Sequence, residues 1–276
     1  MAARRTGAED GLAALRLQLA WGADEALAEA PQDRLRPAPP LPDLLPPRPP
    51  DGAPGEQSPA LPPALLGAFR RGGGEAAARA WELAGQATDR EALRVALAGF
   101  DGCALAATAT NLVFSDGNPD AGLVLIGEAP GAEEDRTGLP FVGAAGRLLD
   151  AMLASIGLDR EKVLIINVLP WRPPGNRTPS DEEITVCLPF LLRHLALVRP
   201  RRLMLLGVLS TRALTGRSEG IRRLRGSWTN VIVPGLKEPV PALPTYHPAY
   251  LLRTPAAKRE AWADLLALRR VLDVEH

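Results

Sequence analysis

Cysteine is scarce in this sequence, and long apolar runs are missing. The chain has 276 residues and two cysteines, Cys103 and Cys187, too few for a disulfide framework or a four-cysteine metal site. No run of about 18 apolar residues occurs, so we expect no membrane span. Glu9 and Asp10 interrupt the segment after the first arginines, so we expect no secretory signal either. These absences favour a cytoplasmic protein.

Net charge is missing as well. The 32 basic and 32 acidic residues cancel, so the chain as a whole does not attract nucleic acid electrostatically. Most basic residues are arginine, whose planar fork suits phosphate and carboxylate, although a GC-rich genome explains this preference equally well. One arginine-rich stretch, opposed only by Glu219, contains Arg199, Arg201, Arg202, Arg212, Arg217, Arg222, Arg223 and Arg225. This stretch is either a DNA-facing strip or a solvated face.

Proline divides the N-terminal part of the chain from the rest. Apolar residues at helical spacing predict an N-terminal helix within residues 1–30. Residues 31–63 are rich in proline, which predicts an extended linker, with a ligand for a partner domain as the alternative. Residues 64–99 predict a helical extension, and residues 100–276 form the main domain.

Strands and helices alternate from residue 123 onward. Strands are expected at 123–127, 163–168, 202–206 and 241–246, after a short one at 112–114, and helices at 144–156, 180–197, 208–215 and 255–272. Thr88 with Glu91 and Ser180 with Glu183 have the spacing of capping boxes. The alternation predicts an α/β fold, in which a mostly parallel sheet carries helices on both faces.

The first of these strands runs into a loop with glycine and proline, GEAPG at residues 127–131. Such a loop places backbone N–H groups and the carboxylate of Glu128 at the carboxyl edge of the sheet, where open α/β sheets bind ligands. Plain turn chemistry produces the same pattern. Acidic residues follow the loop, and then the apolar segment PFV at residues 140–142.

Two later strands end in polar side chains. Asn167 lies near the end of a buried strand, where it either caps a neighbouring loop or reads a base. Its amide presents a donor beside an acceptor, which matches the O4 and N3–H edge of uracil and mismatches cytosine. His247 follows another strand directly and precedes a proline. It is either structural or a hydrogen-bond donor to a leaving base, whose negative charge it would stabilise.

Four blocks in this order, GEAPGAEED, GLPFVG with AGRLLD, NVLPWRPPGNRTP and HPAYLLR, closely resemble the uracil-DNA glycosylase superfamily, specifically its family 4 type. The resemblance covers roughly residues 100–272. It implies a three-layer α/β/α fold with a central four-stranded, mostly parallel sheet and a base pocket at the carboxyl ends of the strands. It also implies an enzyme that flips uracil out of single- or double-stranded DNA, hydrolyses its N-glycosidic bond and leaves an abasic site. We expect a monomer.

The resemblance assigns roles to individual residues. Phe141 resembles the aromatic residue that stacks on uracil, Asn167 the base-reading amide and His247 the histidine of the third motif. Glu128 lies in the loop that holds the attacking water, although other branches use the next position, here Ala129. Which carboxylate assists, Glu128, Glu134 or Asp135, stays open. Expected uracil contacts are Gly127, Ala129, Glu134, Asp135, Phe141 and Asn167. Expected DNA contacts are Gly131, Arg172, Arg177, Tyr250, Leu251 and Arg253, with Tyr250 and Leu251 as either wedges or core residues.

The cysteines depart from the family pattern. Members of family 4 usually hold an iron–sulfur cluster with four cysteines. Cys103 and Cys187 match two of these positions, and Phe100 and Trp171 stand at the other two. Because such a cluster needs four thiolates, we expect no cluster and no other metal or cofactor, and an apolar plug in its place.

The alternative function is a non-catalytic protein of the same fold that binds uracil-containing or single-stranded DNA. One branch of the superfamily traps the sugar through a histidine in an inserted loop. The loop after Trp171 contains no histidine, which argues against trapping. A tethering domain associated with a DNA polymerase is a more distant alternative. The presence of Phe141, Asn167 and His247 together favours the hydrolase.

Overall fold

A six-stranded sheet forms the centre of the structure, a computed structural model that describes residues 74–273. Its strands are β1 (Asp116–Gly117), β2 (Leu123–Gly127), β3 (Leu164–Asn167), β4 (Arg202–Leu206), β5 (Thr229–Val231) and β6 (Val240–Thr245). They lie in the order β1-β3-β2-β4-β6-β5. The four inner strands are parallel, and the two edge strands pair antiparallel with their neighbours.

Helices surround the sheet. They are α1 (Gly74–Gln86), α2 (Arg90–Ala98), α3 (Ala132–Thr137), α4 (Ala144–Ala154), α5 (Asp181–Val198), α6 (Val208–Thr215), α7 (Ile221–Leu224), α8 (Pro248–Arg253) and α9 (Lys258–Asp273). Short 3₁₀ helices lie at Ala104–Ala107, Arg160–Lys162, Pro174–Asn176 and Pro255–Ala257. Helices α1 and α2 contact α5, and their buried residues join the same apolar core as the sheet.

The predicted α/β fold is confirmed, with the four expected parallel strands at its centre. The sheet is two strands wider than expected because β1 and β5 add antiparallel edges. The strand expected at 112–114 is absent; there the Val113 N–H donates to the carbonyl of Pro170, and pairing with β3 starts only at Asp116.

One of the two predicted capping boxes is confirmed. The Ser180 hydroxyl accepts from the N–H of Glu183 at 3.1 Å, and the Glu183 carboxylate accepts from the N–H of Ser180 at 2.8 Å. The Thr88 box is wrong, because Asp89 is the N-cap of α2 and accepts from the N–H of Ala92 at 2.8 Å. The charged carboxylate of Asp89 is the stronger acceptor for the helix N-terminus.

Several expectations concern residues outside the described range. The N-terminal helix within residues 1–30, the proline-rich linker at 31–63 and the first part of the 64–99 extension precede residue 74. The domain boundaries therefore stay predictions. Between residues 74 and 273, none of the helices has the length and apolar character needed to cross a membrane.

The strand register brings the functional loops together. Every residue of β2 and β3 is buried, as expected for parallel strands covered by helices on both faces. Gly127 pairs with Asn167 at the ends of these strands, and Leu206 pairs with Thr245 at the ends of β4 and β6. The segments that follow these residues, including His247, therefore meet at one edge of the sheet.

A buried histidine joins α2 to α5. His194 in α5 is 2% exposed, its Nε2 accepts from Arg90 Nε at 3.1 Å, and its ring stacks on Phe114 with centroids 4.5 Å apart. Burial, assisted by the charge of Arg90, lowers its pKa from 6.5 to about 3. The imidazole is therefore neutral in the folded protein at neutral pH.

The first prediction concerns stability in acid. Because the pKa of His194 is lower in the folded state, the unfolded state binds more protons once the pH falls below 6.5. Between pH 7 and pH 5, His194 should cost about 2 kcal/mol of unfolding free energy. His194→Gln keeps an acceptor for Arg90 but does not titrate. The unfolding free energy of this variant, measured by urea denaturation, should therefore decline less between pH 7 and pH 5 than that of the wild type. A remaining decline is expected from His247, whose pKa is also lowered, to about 4. Identical pH slopes for the two proteins would contradict this assignment.

Candidate functional site

A cavity of about 520 Å³ opens where the parallel strands end. This volume lies within the range of roughly 300–1,000 Å³ that small-molecule sites occupy. Its walls come from the loop after β2, from α3 and the start of α4, from the end of β3, from the segment 173–178 and from α8. The lining residues are Glu128, Ala129, Pro130, Gly131, Glu134, Phe141, Ala145, Asn167, Pro173, Asn176, Arg177, Thr178, His247, Ala249, Tyr250 and Arg253.

Ten of the residues singled out from the sequence line this cavity, and four do not. Gly127 pairs with the lining residue Asn167, and Asp135 and Leu251 are buried outside the cavity lining. Arg172 donates from Nε to Oδ1 of the lining residue Asn176 at 2.8 Å. Asp135 Oδ1 accepts from the N–H groups of Thr110 and Asn111 at 2.8 and 3.2 Å. Its carboxylate therefore fixes a neighbouring loop, in contrast to the expected uracil contact.

Leu251 is placed by the geometry of α8. Successive residues of an α-helix point about 100° apart, so a helix that turns Ala249, Tyr250 and Arg253 towards the cavity turns Leu251 the other way. Leu251 is 1% exposed, and α8 packs on α4. Of its two proposed roles, the structure favours the core role over the wedge. Tyr250 is partly exposed at the rim.

Phe141 is held by contacts that only glycine allows. Its ring lies 5.5 Å from the His247 ring, centroid to centroid. A Cβ at Gly127 would lie 2.6 Å from the Phe141 ring and 2.3 Å from Asn167 Oδ1. A Cβ at Gly146 in α4 would lie 1.6 Å from the Phe141 carbonyl oxygen. Both glycines are therefore required for this position of the ring.

Asn167 carries an unsatisfied acceptor. The residue is 7% exposed, and within residues 74–273 no group donates a hydrogen bond to its buried Oδ1. A buried polar atom without a partner costs about 1–3 kcal/mol. Because Asn167 also lines the cavity, this atom marks the place where a ligand can supply a donor.

His247 is a neutral hydrogen-bond donor. Its Nδ1 accepts from the N–H of Ala249 at 3.1 Å, so the proton of the neutral ring resides on Nε2. Burial, assisted by the charge of Arg253 and opposed by that of Glu134, lowers the pKa of His247 from 6.5 to about 4. A neutral imidazole is therefore present at the cavity wall at physiological pH.

The candidate carboxylates differ in what they contact. Glu134 Oε1 accepts from the N–H of Gly143 at 2.9 Å, and its Oε2 accepts from the N–H of Gly131 at 3.1 Å. Both of its oxygens thus tie the first loop to the start of α4. Burial raises the pKa of Glu128, and Arg253 lowers it in part. Glu128 is therefore the cavity carboxylate best placed to take up a proton.

Several side chains of the arginine-rich stretch have partners of their own. Arg212 pairs with Asp181 at 2.6 Å and Arg217 with Glu219 at 2.8 Å, whereas Arg225 contacts the buried Asp264. Arg222 reaches the hydroxyl of Tyr250 at 3.5 Å. These side chains therefore serve separate local contacts, and Arg222 reaches the rim of the cavity. Arg177 and Arg253 line the cavity itself.

Sequence reasoning missed several lining residues. Pro130, Ala145 and Ala249 present small apolar or backbone surfaces that no motif would mark. Asn176 and Thr178 belong to the polar segment RPPGNRTP, whose length and polarity could have indicated a lining loop.

The four positions that correspond to cluster ligands lie in the apolar core. Phe100, Cys103, Trp171 and Cys187 are each 4% exposed or less. The two sulfur atoms are 3.8 Å apart, and the Phe100 ring packs on Phe190 with centroids 5.1 Å apart. Two thiols and two aromatic rings do not supply the four thiolates of a cluster. The donor set therefore does not fit the group.

The second prediction follows from this packing. Protein purified without oxygen should contain no stoichiometric iron or acid-labile sulfide and no broad visible absorbance. The measurement is metal and sulfide analysis of the wild type beside the Cys103→Ser/Cys187→Ser double variant, which reports adventitious iron. One cluster per chain in the wild type, lost in the variant, would show that the aromatic residues do not replace the missing ligands.

The fold and the cavity define a class: α/β proteins with a cavity at the carboxyl ends of parallel strands, lined by an aromatic ring, an amide and an imidazole. The sequence profile of the uracil DNA glycosylase superfamily matches residues 114–266. The chain belongs to this superfamily.

Its relatives agree with the family 4 resemblance, which is confirmed. The chain is 40% identical to the type-4 uracil-DNA glycosylase of Pyrobaculum aerophilum over 181 residues, which cover 64% of this chain and 91% of the relative. It is 44% identical to that of Archaeoglobus fulgidus over 59% of this chain and 82% of the relative. A DNA polymerase of Bacillus phage SP01 is 27% identical over 57% of this chain but only 16% of its own length.

Proposed function

We propose that this chain is a uracil-DNA glycosylase of base excision repair, which removes uracil from DNA and leaves an abasic site. The observation that carries the proposal is the buried, unsatisfied Oδ1 of Asn167 in a cavity shared with Phe141 and His247. The names of the type-4 relatives support the same activity.

Asn167 selects the base. The N3–H of uracil donates to Asn167 Oδ1, and the amide Nδ2 donates to O4. Cytosine presents an acceptor at N3 and a donor at C4, so both contacts become mismatched. Each mismatched buried pair costs about 1–3 kcal/mol, and polar sites of this kind discriminate strongly against the wrong ligand. Phe141 stacks on the flipped ring, Gly127 leaves room for the Phe141 ring and the Asn167 amide, and Ala129 borders the cavity.

His247 stabilises the leaving base. When the C1′–N1 bond breaks, the electron pair stays on the base, and negative charge develops at O2. The N–H at Nε2 of neutral His247 donates to this oxygen more strongly as the charge grows, so it stabilises the transition state more than the ground state. Water then attacks C1′, and the Glu128 carboxylate orients it and accepts its proton.

DNA contacts surround the cavity. Arg177 and Arg253 line it, and Arg172 lies beside it, so these guanidinium groups provide a surface for phosphates. Tyr250 at the rim is the proposed wedge, because Leu251 is buried. Flipping costs a few kcal/mol of unstacking and is least costly in single strands or mismatches. We propose that the protein acts as a monomer.

The third prediction is the direct test of the activity. The protein should excise uracil from an oligonucleotide that contains one uracil, either single-stranded or in U·G and U·A duplexes. Alkali should then cleave the strand at the abasic site. His247→Ala should lose roughly 100-fold to 1,000-fold in rate, as for the loss of one transition-state donor. Asn167→Ala should lose roughly 10-fold to 100-fold.

Matched substitutions outside the cavity provide the controls. His194→Gln changes a buried histidine that does not line the cavity, and Asn118→Ala removes an amide whose Oδ1 accepts from the N–H of Asp120 at 2.9 Å. Both should keep wild-type excision at neutral pH. Binding of uracil DNA without cleavage by the wild type would move the protein to the non-catalytic class and end the glycosylase proposal.

The fourth prediction is a pH profile. Glu128 acts in its charged form, and burial raises its pKa above the ordinary value. The single-turnover rate should therefore decline as the pH falls through this raised pKa, while His247, with a pKa of about 4, is still largely neutral. The single-turnover rate of Glu128→Gln should be lower and should not change with pH over the same interval. If the rate of this variant still declined with falling pH as in the wild type, the decline would belong to a group other than Glu128.

A further inference from the structure

The stacking residue Phe141 has an unusual backbone. Its φ is 56°, in the left-handed region that residues with a side chain rarely adopt. Such a conformation persists only where the surroundings fix it, and it often occurs at functional sites. The ring is 5% exposed, so the loop directs it inward over Gly127. Something must hold the loop in this form.

Arg160 contacts the loop at this point. Arg160 lies in the 3₁₀ helix that precedes β3. Its Nη1 donates to the carbonyl of Pro140 at 3.2 Å, and its Nη2 donates to the carbonyl of Phe141. Both acceptors belong to the peptide units that flank the Phe141 Cα. The guanidinium therefore restrains the backbone dihedral angles of Phe141, which orient its ring.

The same guanidinium is anchored on the other side. Its Nη1 contacts Asp116 Oδ2 at 2.5 Å, and its Nε contacts Asp150 Oδ1 at 2.9 Å. Asp116 belongs to β1 and Asp150 to α4, the helix whose Gly146 touches the Phe141 backbone. The planar fork of arginine can satisfy several acceptors in fixed directions, which the ammonium of lysine cannot reproduce.

We propose that Arg160 is a positioning residue for the reaction, because it fixes the left-handed backbone of Phe141 and thereby the plane on which the base stacks. This inference rests on the proposed glycosylase function. Arg160 is not among the residues that line the cavity, so it acts through Phe141 and has no contact with the base.

A double-mutant cycle separates positioning from plain stability. Arg160→Met is made in the wild type and in Phe141→Leu, and kcat, KM and the melting temperature are measured with a single-stranded uracil oligonucleotide. In the wild type we expect a loss of roughly tenfold to a hundredfold in kcat/KM, typical of a misplaced binding group. In Phe141→Leu the same substitution should cost less than about twofold, since coupled residues are not additive.

Arg193→Met is the matched control. Arg193 also donates from its guanidinium to a backbone carbonyl, that of Ala87, and it lies in α5, outside the cavity lining. Its effect should be the same in both backgrounds. If Arg160→Met does not fold, Arg160→Lys enters the same cycle.

The outcomes distinguish the two proposals. Excision by the wild type with equal losses for Arg160→Met in both backgrounds would overturn the positioning role and leave the glycosylase intact. If the losses in kcat/KM are non-additive with Phe141→Leu for Arg160→Met but not for Arg193→Met, the positioning role is supported. A wild type that does not excise uracil would overturn both.

Discussion

The close approach of three groups at Gly127 is the constraint on which the cavity depends. Parallel pairing places Gly127 beside Asn167, and the missing side chain lets the Asn167 amide and the Phe141 ring occupy the space where a Cβ would stand. A larger residue would displace both the Asn167 amide and the Phe141 ring. The strand register therefore acts on function directly, because it decides which side chains meet over this one glycine.

The charges of the cavity follow from its partial burial. Burial disfavours the charged form of both His247 and Glu128, so the pKa of the histidine falls and that of the carboxylate rises. The charge of Arg253 lowers the pKa of His247 further and limits the rise in the pKa of Glu128. The result suits a reaction that expels an anion: a neutral imidazole donates without competing for the proton, and a carboxylate with a raised pKa is a better base near neutral pH.

The sequence predicted the strands and the residues at their ends better than it predicted single side-chain contacts. Buried parallel strands are continuous apolar runs, and their carboxyl ends meet at one edge, so Glu128, Asn167 and His247 were found together. Leu251 was harder to place because its role depends on the rotation of a six-residue helix. Arg225 contacts Asp264, 39 positions away, and Arg160 contacts Asp116, 44 positions away; no local pattern reveals such pairs.

The region of the two cysteines belongs to the apolar core. Trp171 starts the segment that carries Arg177 to the cavity, so whatever anchors Trp171 also places that lining loop. Fully burying a large apolar side chain stabilises the folded state by about 1.5–3 kcal/mol. The packing of the buried Phe100 and Trp171 side chains therefore stabilises the start of the segment that reaches the cavity at Arg177.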